Sequence, residues 1–291
     1  TISFLKKLYL LEGVNCHQKL AVISVIQKLK VKGRLNFLNN LLPLIGSNYD
    51  VIHVHYGLLA LPVVLLREAG LVRGEVIVTW HGYDANQVPR RFGEAIYRSL
   101  FLEKIMHTVG SNFMWRRLLE LGASEEYIRQ VRMGVDLDFF TPKGKKDISM
   151  NRLRILSVGR LVEVKGHEYL VSAVHQLGKK GLDVELVIIG EGEYRSHLEK
   201  IIIELAIEDK VSLKGARDRN YIREAMWKSH IFALTGVYAQ DGSVEGQGVV
   251  LAEAQACGMP VIASNAGGVP ESVLEGQSAI LCEPRNVEEI V

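Results

Sequence analysis

The sequence predicts an α/β protein of two doubly wound parallel-sheet domains, and three observations predict it. From position 49 onward, short β-branched runs alternate with helical segments, the pattern of parallel strands joined by crossover helices. The alternation stops at a polar, basic stretch, "KGKKDISMN" (143–151), and then starts again. Charged residues stand just past the ends of several candidate strands, where open α/β sheets bind ligands. The expected domains are 1–149 and 150–291.

Residues 1–46 read as helices and a loop without a convincing strand. A doubly wound domain usually opens with a strand and a glycine-rich turn, so one or more leading strands are expected to be missing. "YDVIHVHYG" (49–57), "GEVIVTWHG" (74–82) and "KIMHTVGSN" (104–112) read as strands, followed by helices over 58–69, 90–101 and 113–121. "VRMGVDLDFFTP" (131–142) then leads into the linker. Beyond it come strands at 153–159, 184–190, 210–215, 230–236, 260–264 and 278–282. Helices are expected between them at 166–178, 193–206, 219–228, 249–257 and 270–275; Gly258 and Pro260 stop the fourth.

A chain of 291 residues with 48% hydrophobic and 23% charged residues can bury two cores. Cys16, Cys257 and Cys282 form no CxxC pair, which argues against a disulfide framework and for a reducing cytosol. The longest apolar run, Leu58 to Leu66, contains Pro62 and falls well short of the roughly 18–20 residues of a membrane span. The sequence opens on Thr without a signal-peptide pattern, and a fragment is expected. Residues 1–149 carry 20 Lys and Arg against 13 Asp and Glu, a balance of +7, whereas 150–291 carry 15 against 20, a balance of −5. A basic half suits anionic lipid, an anionic acceptor or plain solvation; its cations are too scattered for a nucleic-acid face. "RRFGEAIY" (90–97) and "MWRRLLEL" (114–121) fit either a membrane-facing edge or ordinary amphipathic packing.

Arg160 follows one candidate strand directly, and Lys165 comes five residues later, before a helix opened by Gly166. A planar guanidinium and a point-charge ammonium at a helix start suit a diphosphate; exposed loop cations are the plain alternative. Glu245 and Glu253 lie eight residues apart, at most roughly 12 Å along a helix axis, with Gly246 and Gly248 between them. One carboxylate could hold hydroxyls of a hexose and the other those of a ribose, or both could be an acidic helix start. His81 ends a strand before Gly82, placed either to meet a substrate or to serve the fold. His53 and His55 share one strand face without a third ligand, which favours packing. "GEGEY" (190–194) falls short of a dinucleotide fingerprint, no Walker A sequence is present, and no metal ligands are assigned.

"SVGRLVEVKG", "VIIGEGEY", "EGQGVVLAEAQACGMPVIAS" and "GGVPE", with "HGYD" and "MGVDLDFF" in the first half, resemble the retaining glycosyltransferases of the GT-B fold. The family is the large group 1 set of bacterial polysaccharide and lipid-linked glycan enzymes, and the resemblance extends to the colanic acid and amylovoran types. It implies two Rossmann-like domains facing a cleft, 1–149 on the acceptor side and 150–291 on the nucleotide-sugar donor side. Arg160, Lys165 and Gly248 then match the donor-phosphate site, Glu245 the acid at the transferred sugar, Glu253 the acid at the donor ribose, and His81 a histidine near the reaction centre. Gln247 departs from the aromatic or apolar residue commoner at its position. The family's leading strand and its C-terminal crossover helix are not visible, so a chain truncated at both ends is expected.

The resemblance further implies metal-independent hexosyl transfer with retention, without a cofactor. The donor would be a UDP- or GDP-sugar, and the acceptor a glycan or polyprenyl-linked hydroxyl. The setting would be cytoplasmic, at the inner face of the membrane with peripheral contact to anionic lipid, and no nucleic acid is expected. A nucleotide-sugar epimerase and a non-catalytic nucleotide-sugar-binding fragment are the alternatives.

Overall fold

A computed structural model describes residues 21–24, 41–144 and 152–291. The expectation for 1–46 therefore lies largely outside the described residues; within them, 21–24 are helical and Leu42–Leu44 form a 3-10 turn. Cys16 and most of the proposed linker also lie outside. Contacts divide the chain into one compact unit of Thr1–Val109 with Trp115–Val131, and a second of Gly110–Met114 with Arg132–Val291. Phe140, 2% exposed, is buried in the second unit's core with Val135 and Phe139 against it.

The first unit holds a parallel sheet in the order β1-β2-β3-β4: Asn48–His55, Arg73–Trp80, Met106–Val109 and Ile128–Gln130. Its helices are α1 (Gly57–Glu68), α2 (Tyr83–Phe92) and α3 (Arg98–Leu102), with the Trp115–Glu120 part of α4 (Asn112–Glu120), whose start at Asn112–Met114 belongs to the second unit. The helix expected at 90–101 is displaced. It starts at 83, directly after the Gly82 turn, and Gly93 at φ 93° ends it, leaving a 3-10 turn and the short α3 behind. Pro89 sits inside α2 and has no N–H to offer the carbonyl four residues back. The Nε–H of Arg117 takes that carbonyl, Ala85 O, at 3.0 Å. Strand β4 was not expected, since three residues are too few for an alternation to be read.

The second unit is one six-stranded parallel sheet in the order β10-β9-β8-β5-β6-β7. In chain order the strands are β5 (Leu153–Val158), β6 (Val184–Ile189), β7 (Val211–Leu213), β8 (Ile231–Leu234), β9 (Val261–Ser264) and β10 (Ala279–Cys282). The helices are α5 (His167–Lys179), α6 (Arg195–Glu204), α7 (Arg219–Lys228), α8 (Val249–Ala256) and a short α9 (Val287–Ile290). Alternate strand residues serve opposite faces. Leu156, Val187, Phe232 and Leu234 join one core, while Ile155, Ile188 and Ala233 join the other with α5, α6 and α9. Only a 3-10 turn, Val269–Ser272, replaces the helix expected at 270–275, since Pro270 and the flanking Gly267, Gly268 and Gly276 leave too short a run. Strand order reverses at the β5/β8 pair: the chain runs outward through β6 and β7, then returns beside β5 and builds the other wing. The carboxyl ends of β5 and β8 therefore flank a topological switch point, the place where such sheets bind ligands.

Candidate functional site

The loops after β5 and β8 are stitched together by main chain. Val237 N–H donates to Val164 O at 3.0 Å, and the Thr235 hydroxyl donates to Gly166 O at 2.9 Å. Gly166 is left-handed, at φ 62°, and a Cβ there would stand 1.9 Å from Thr235 O, so only glycine allows this approach. The stem of Lys165 lies over Gly159, and its Nζ makes an ion pair with the Glu245 carboxylate. The pair is largely sheltered, with side-chain exposures of 15% and 18%. Two residues from opposite sides of the switch point, 80 positions apart in sequence, thus share one spot.

The loop carrying Glu245 is fixed carbonyl by carbonyl. Glu245 O accepts from Gly268 N–H at 2.9 Å, Gly246 O from the Ser111 hydroxyl at 2.7 Å, and Gln247 O from the Ser272 hydroxyl. Gly248, left-handed at φ 76°, then opens α8, whose free N–H groups and dipole favour an anion. Glu253 lies in α8, half-buried; burial pushes its carboxyl pKa upward, and the positive charge of Arg219 opposes that. Arg160 is exposed, with its carbonyl accepting from Val162 N–H at 3.0 Å. Of the sequence-predicted set, Lys165 and Glu245 are brought into contact, with Gly248 three residues beyond, and Arg160 is not bonded to them.

His81 belongs to the first unit. Register pairs His55 with Thr79, so His81 emerges just past the end of β2 next to His55. The His55 Nδ1 to His81 Nε2 distance is 2.8 Å, the rings stack at 5.1 Å, and Tyr56 lies 4.6 Å from His81. Burial lowers the His81 pKa; Asp84 opposes this, and His55 and His53 add to it. The packing expected of His53 and His55 is overturned: Ile52 and Val54 face the core, and the two histidines, on the opposite pleat, are exposed. His53 Nε2 instead meets the Thr79 hydroxyl at 2.7 Å, which in turn meets that of Thr108 at 2.6 Å.

Several residues escaped the sequence reading. Asp84 is fully buried and accepts from His81 N–H at 3.0 Å and from Gly57 N–H, the first residue of α1, at 2.8 Å. Burial pushes its carboxyl pKa up while these hydrogen bonds oppose it. Its place in "HGYD" was the available signal. Glu271, the acid of "GGVPE", accepts from Asn112 and Phe113 N–H at 2.7 and 2.8 Å and so caps α4. The chain also carries an Asp-x-Asp stretch, Asp136-Leu137-Asp138; Asp136 is engaged by Arg219 at 3.2 Å and by Phe139 N–H at 3.1 Å. Among the described residues no helix is long and apolar enough to cross a membrane.

Residues 138–291, more than half of the chain, match the family described as Glycosyl transferases group 1. Among curated proteins, the chain is 32% identical over 234 residues to WcaL of Escherichia coli K12, a chain named as a colanic acid biosynthesis glycosyltransferase; the match covers 80% of this chain and 57% of that one. It is 32% identical over 228 residues to the amylovoran biosynthesis glycosyltransferase AmsK of Erwinia amylovora, covering 77% and 55%. The chain thus spans a little over half the length of these relatives. Among solved structures, Anabaena HepE in complex with UDP and glucose superposes with a TM-score of 0.68 at 21% identity, covering 92% of this chain and 69% of that one. With that likeness, the two parallel-sheet α/β units are those of a GT-B fold.

Proposed function

The chain belongs to the group 1 glycosyl transferases, and from that premise we propose that the second unit binds a nucleoside diphosphate sugar whose hexose the protein transfers to a hydroxyl of a glycan or lipid-linked acceptor, with retention of anomeric configuration. The observation that carries this reading is the pairing of Lys165 with Glu245 at the switch point. It brings a cation and a carboxylate together three residues before a helix N-terminus, a set suited to holding a diphosphate beside a sugar.

In this reading Arg160 and Lys165, with the α8 N-terminus at Gly248, take up the negative charge that builds on the leaving diphosphate. Fixed dipoles and charges need no reorganisation as the bond breaks, so they favour the transition state over the ground state. Glu245 accepts hydrogen bonds from hydroxyls of the transferred sugar, and Glu253 from the ribose. His81, in the first unit, is the remaining candidate for a catalytic role. Retention without a protein nucleophile has the acceptor attack from the leaving-group face, its proton passing to the departing diphosphate. We assign the charge neutralisation to the cations and the helix rather than to a metal or cofactor. UDP- and GDP-sugars are the donors to try first, HepE having been solved with UDP. The names of WcaL and AmsK support an exopolysaccharide acceptor. The +7 balance of 1–149 supports peripheral contact with the anionic inner face of the membrane from the cytoplasm.

A donor screen by nucleotide release on the full-length protein tests the reading. One UDP- or GDP-hexose should turn over with added acceptor, and Glu245→Ala should abolish it. Wild-type rates in that variant would remove Glu245 from the reaction.

A further inference from the structure

We infer that Gln247 is a positioning residue for the reaction: its side-chain amide fixes the loop that aims Glu245. The inference rests on the sugar role proposed for Glu245, and all its contacts lie inside the second unit.

Gln247 is 9% exposed, and a buried primary amide costs free energy unless both ends are bonded. Both ends are used on one residue. Gln247 Oε1 accepts from Met133 N–H at 3.0 Å, and Nε2 donates to Met133 O at 2.9 Å. The amide thus reads the main chain of Met133 as a neighbouring strand would, with two antiparallel bonds that fix orientation as well as distance. Gly110 leaves room for this: a Cβ there would come 2.4 Å from Gln247 Oε1. The main chain at Gln247 is tied separately, through its carbonyl to Ser272. Two positions earlier in the same loop stands Glu245, whose carbonyl is held by Gly268 and whose carboxylate faces Lys165.

Without the amide, the loop keeps its carbonyl bonds but loses the side-chain anchor on Met133, and rotation about that segment moves the Glu245 carboxylate. An aromatic or aliphatic side chain could fill the space but could not satisfy both Met133 groups. Sub-ångström misplacement of a group that acts on the reacting sugar is paid in turnover more than in donor affinity.

The test is a double-mutant cycle in the full-length protein. Gln247→Met keeps the length and removes both bonds; it should lower kcat about 10- to 100-fold with little change in the Kd for the free nucleoside diphosphate. Gly110→Ala, which leaves Gln247 in place and crowds its Oε1, should lower kcat in the same direction. In a Glu245→Gln background, where the carboxylate is already lost, Gln247→Met should cost nothing further in kcat. Full additivity of the two losses, or a Gln247→Met enzyme with wild-type kcat, overturns the positioning role while leaving Glu245's own role standing. A Glu245→Gln enzyme with wild-type kcat overturns the reading beneath it. If Gln247→Met lowers the thermal midpoint and nucleotide affinity together while kcat holds, the amide is structural only, and the inference fails.

Discussion

The two units use the same parallel α/β plan but hold their candidate residues by different means. In the second, the residues stand on loops whose main-chain carbonyls are pinned: Val164 O by Val237 N–H, Glu245 O by Gly268 N–H, and Gly166 O by the Thr235 hydroxyl. In the first, His81 is held by other ionisable groups, with Asp84 under its N–H and His55 against its ring. Main-chain stitching depends on shape and hardly on pH, whereas a histidine–carboxylate assembly responds to the protonation state of each member. The lesson is that the diphosphate-side loops should break under steric change, while acid should reach both units through their buried histidines.

The largest expected effect is on activity: Glu245→Gln should lower kcat in the full-length protein about 100- to 1000-fold, as loss of one preorganised transition-state contact typically does. A loss under threefold would place Glu245 outside the site. Next comes stability. Gly166→Ala should cost about 3 kcal/mol or more, because left-handed strain adds to a clash with Thr235 O. Gly122→Ala in the first unit, with φ 97° and nothing within 4 Å of the added Cβ, should cost only about 1 kcal/mol. Thermal midpoints measure both, and equal shifts would dissolve the contrast.

Acid stability is the third test. His107 in the first unit and His167 in the second are both lowered to about 4, mainly by burial, from an ordinary 6.5. Between these values the unfolded chain binds a proton that the folded chain does not. Stability is therefore full above pH 6.5 and falls as pH drops toward 4, by about 1.4 kcal/mol per pH unit for each histidine. Urea midpoints of His107→Gln and His167→Gln should each fall less steeply with acid than the parent; parent-like slopes would show these rings are not buried neutral. The smallest effect is Arg117→Met, expected to cost about 1 kcal/mol by leaving Ala85 O above Pro89 without its donor. An unchanged midpoint would mean that water replaces it.

Legibility followed the same division. In the second half, runs such as "LRILSVG" and "VELVIIG" are mostly β-branched or aliphatic and end on glycine, so strands and loop positions could be read directly. Lys165 and Glu245 were found as residues following strands. That they touch depends on β8 returning beside β5, and strand order leaves no periodic trace in sequence. In the first half, Pro89 and Gly93 punctuate a helix that begins earlier than its apolar pattern suggests. His53 and His55 were placed on one face correctly, but which face, and the partner His81, follow from the β1–β2 register. Gln247 showed only as a departure from a pattern; its partner Met133 lies 114 positions away.

The central claim is that the carboxyl ends of β5 and β8 form a diphosphate site, and calorimetric binding of UDP and GDP to the full-length protein tests it most directly. With one of these nucleotides, Lys165→Ala should weaken the Kd by about 10- to 100-fold, the worth of one charge-assisted contact. Affinity unchanged from wild type would contradict the account, since it would place the phosphates elsewhere.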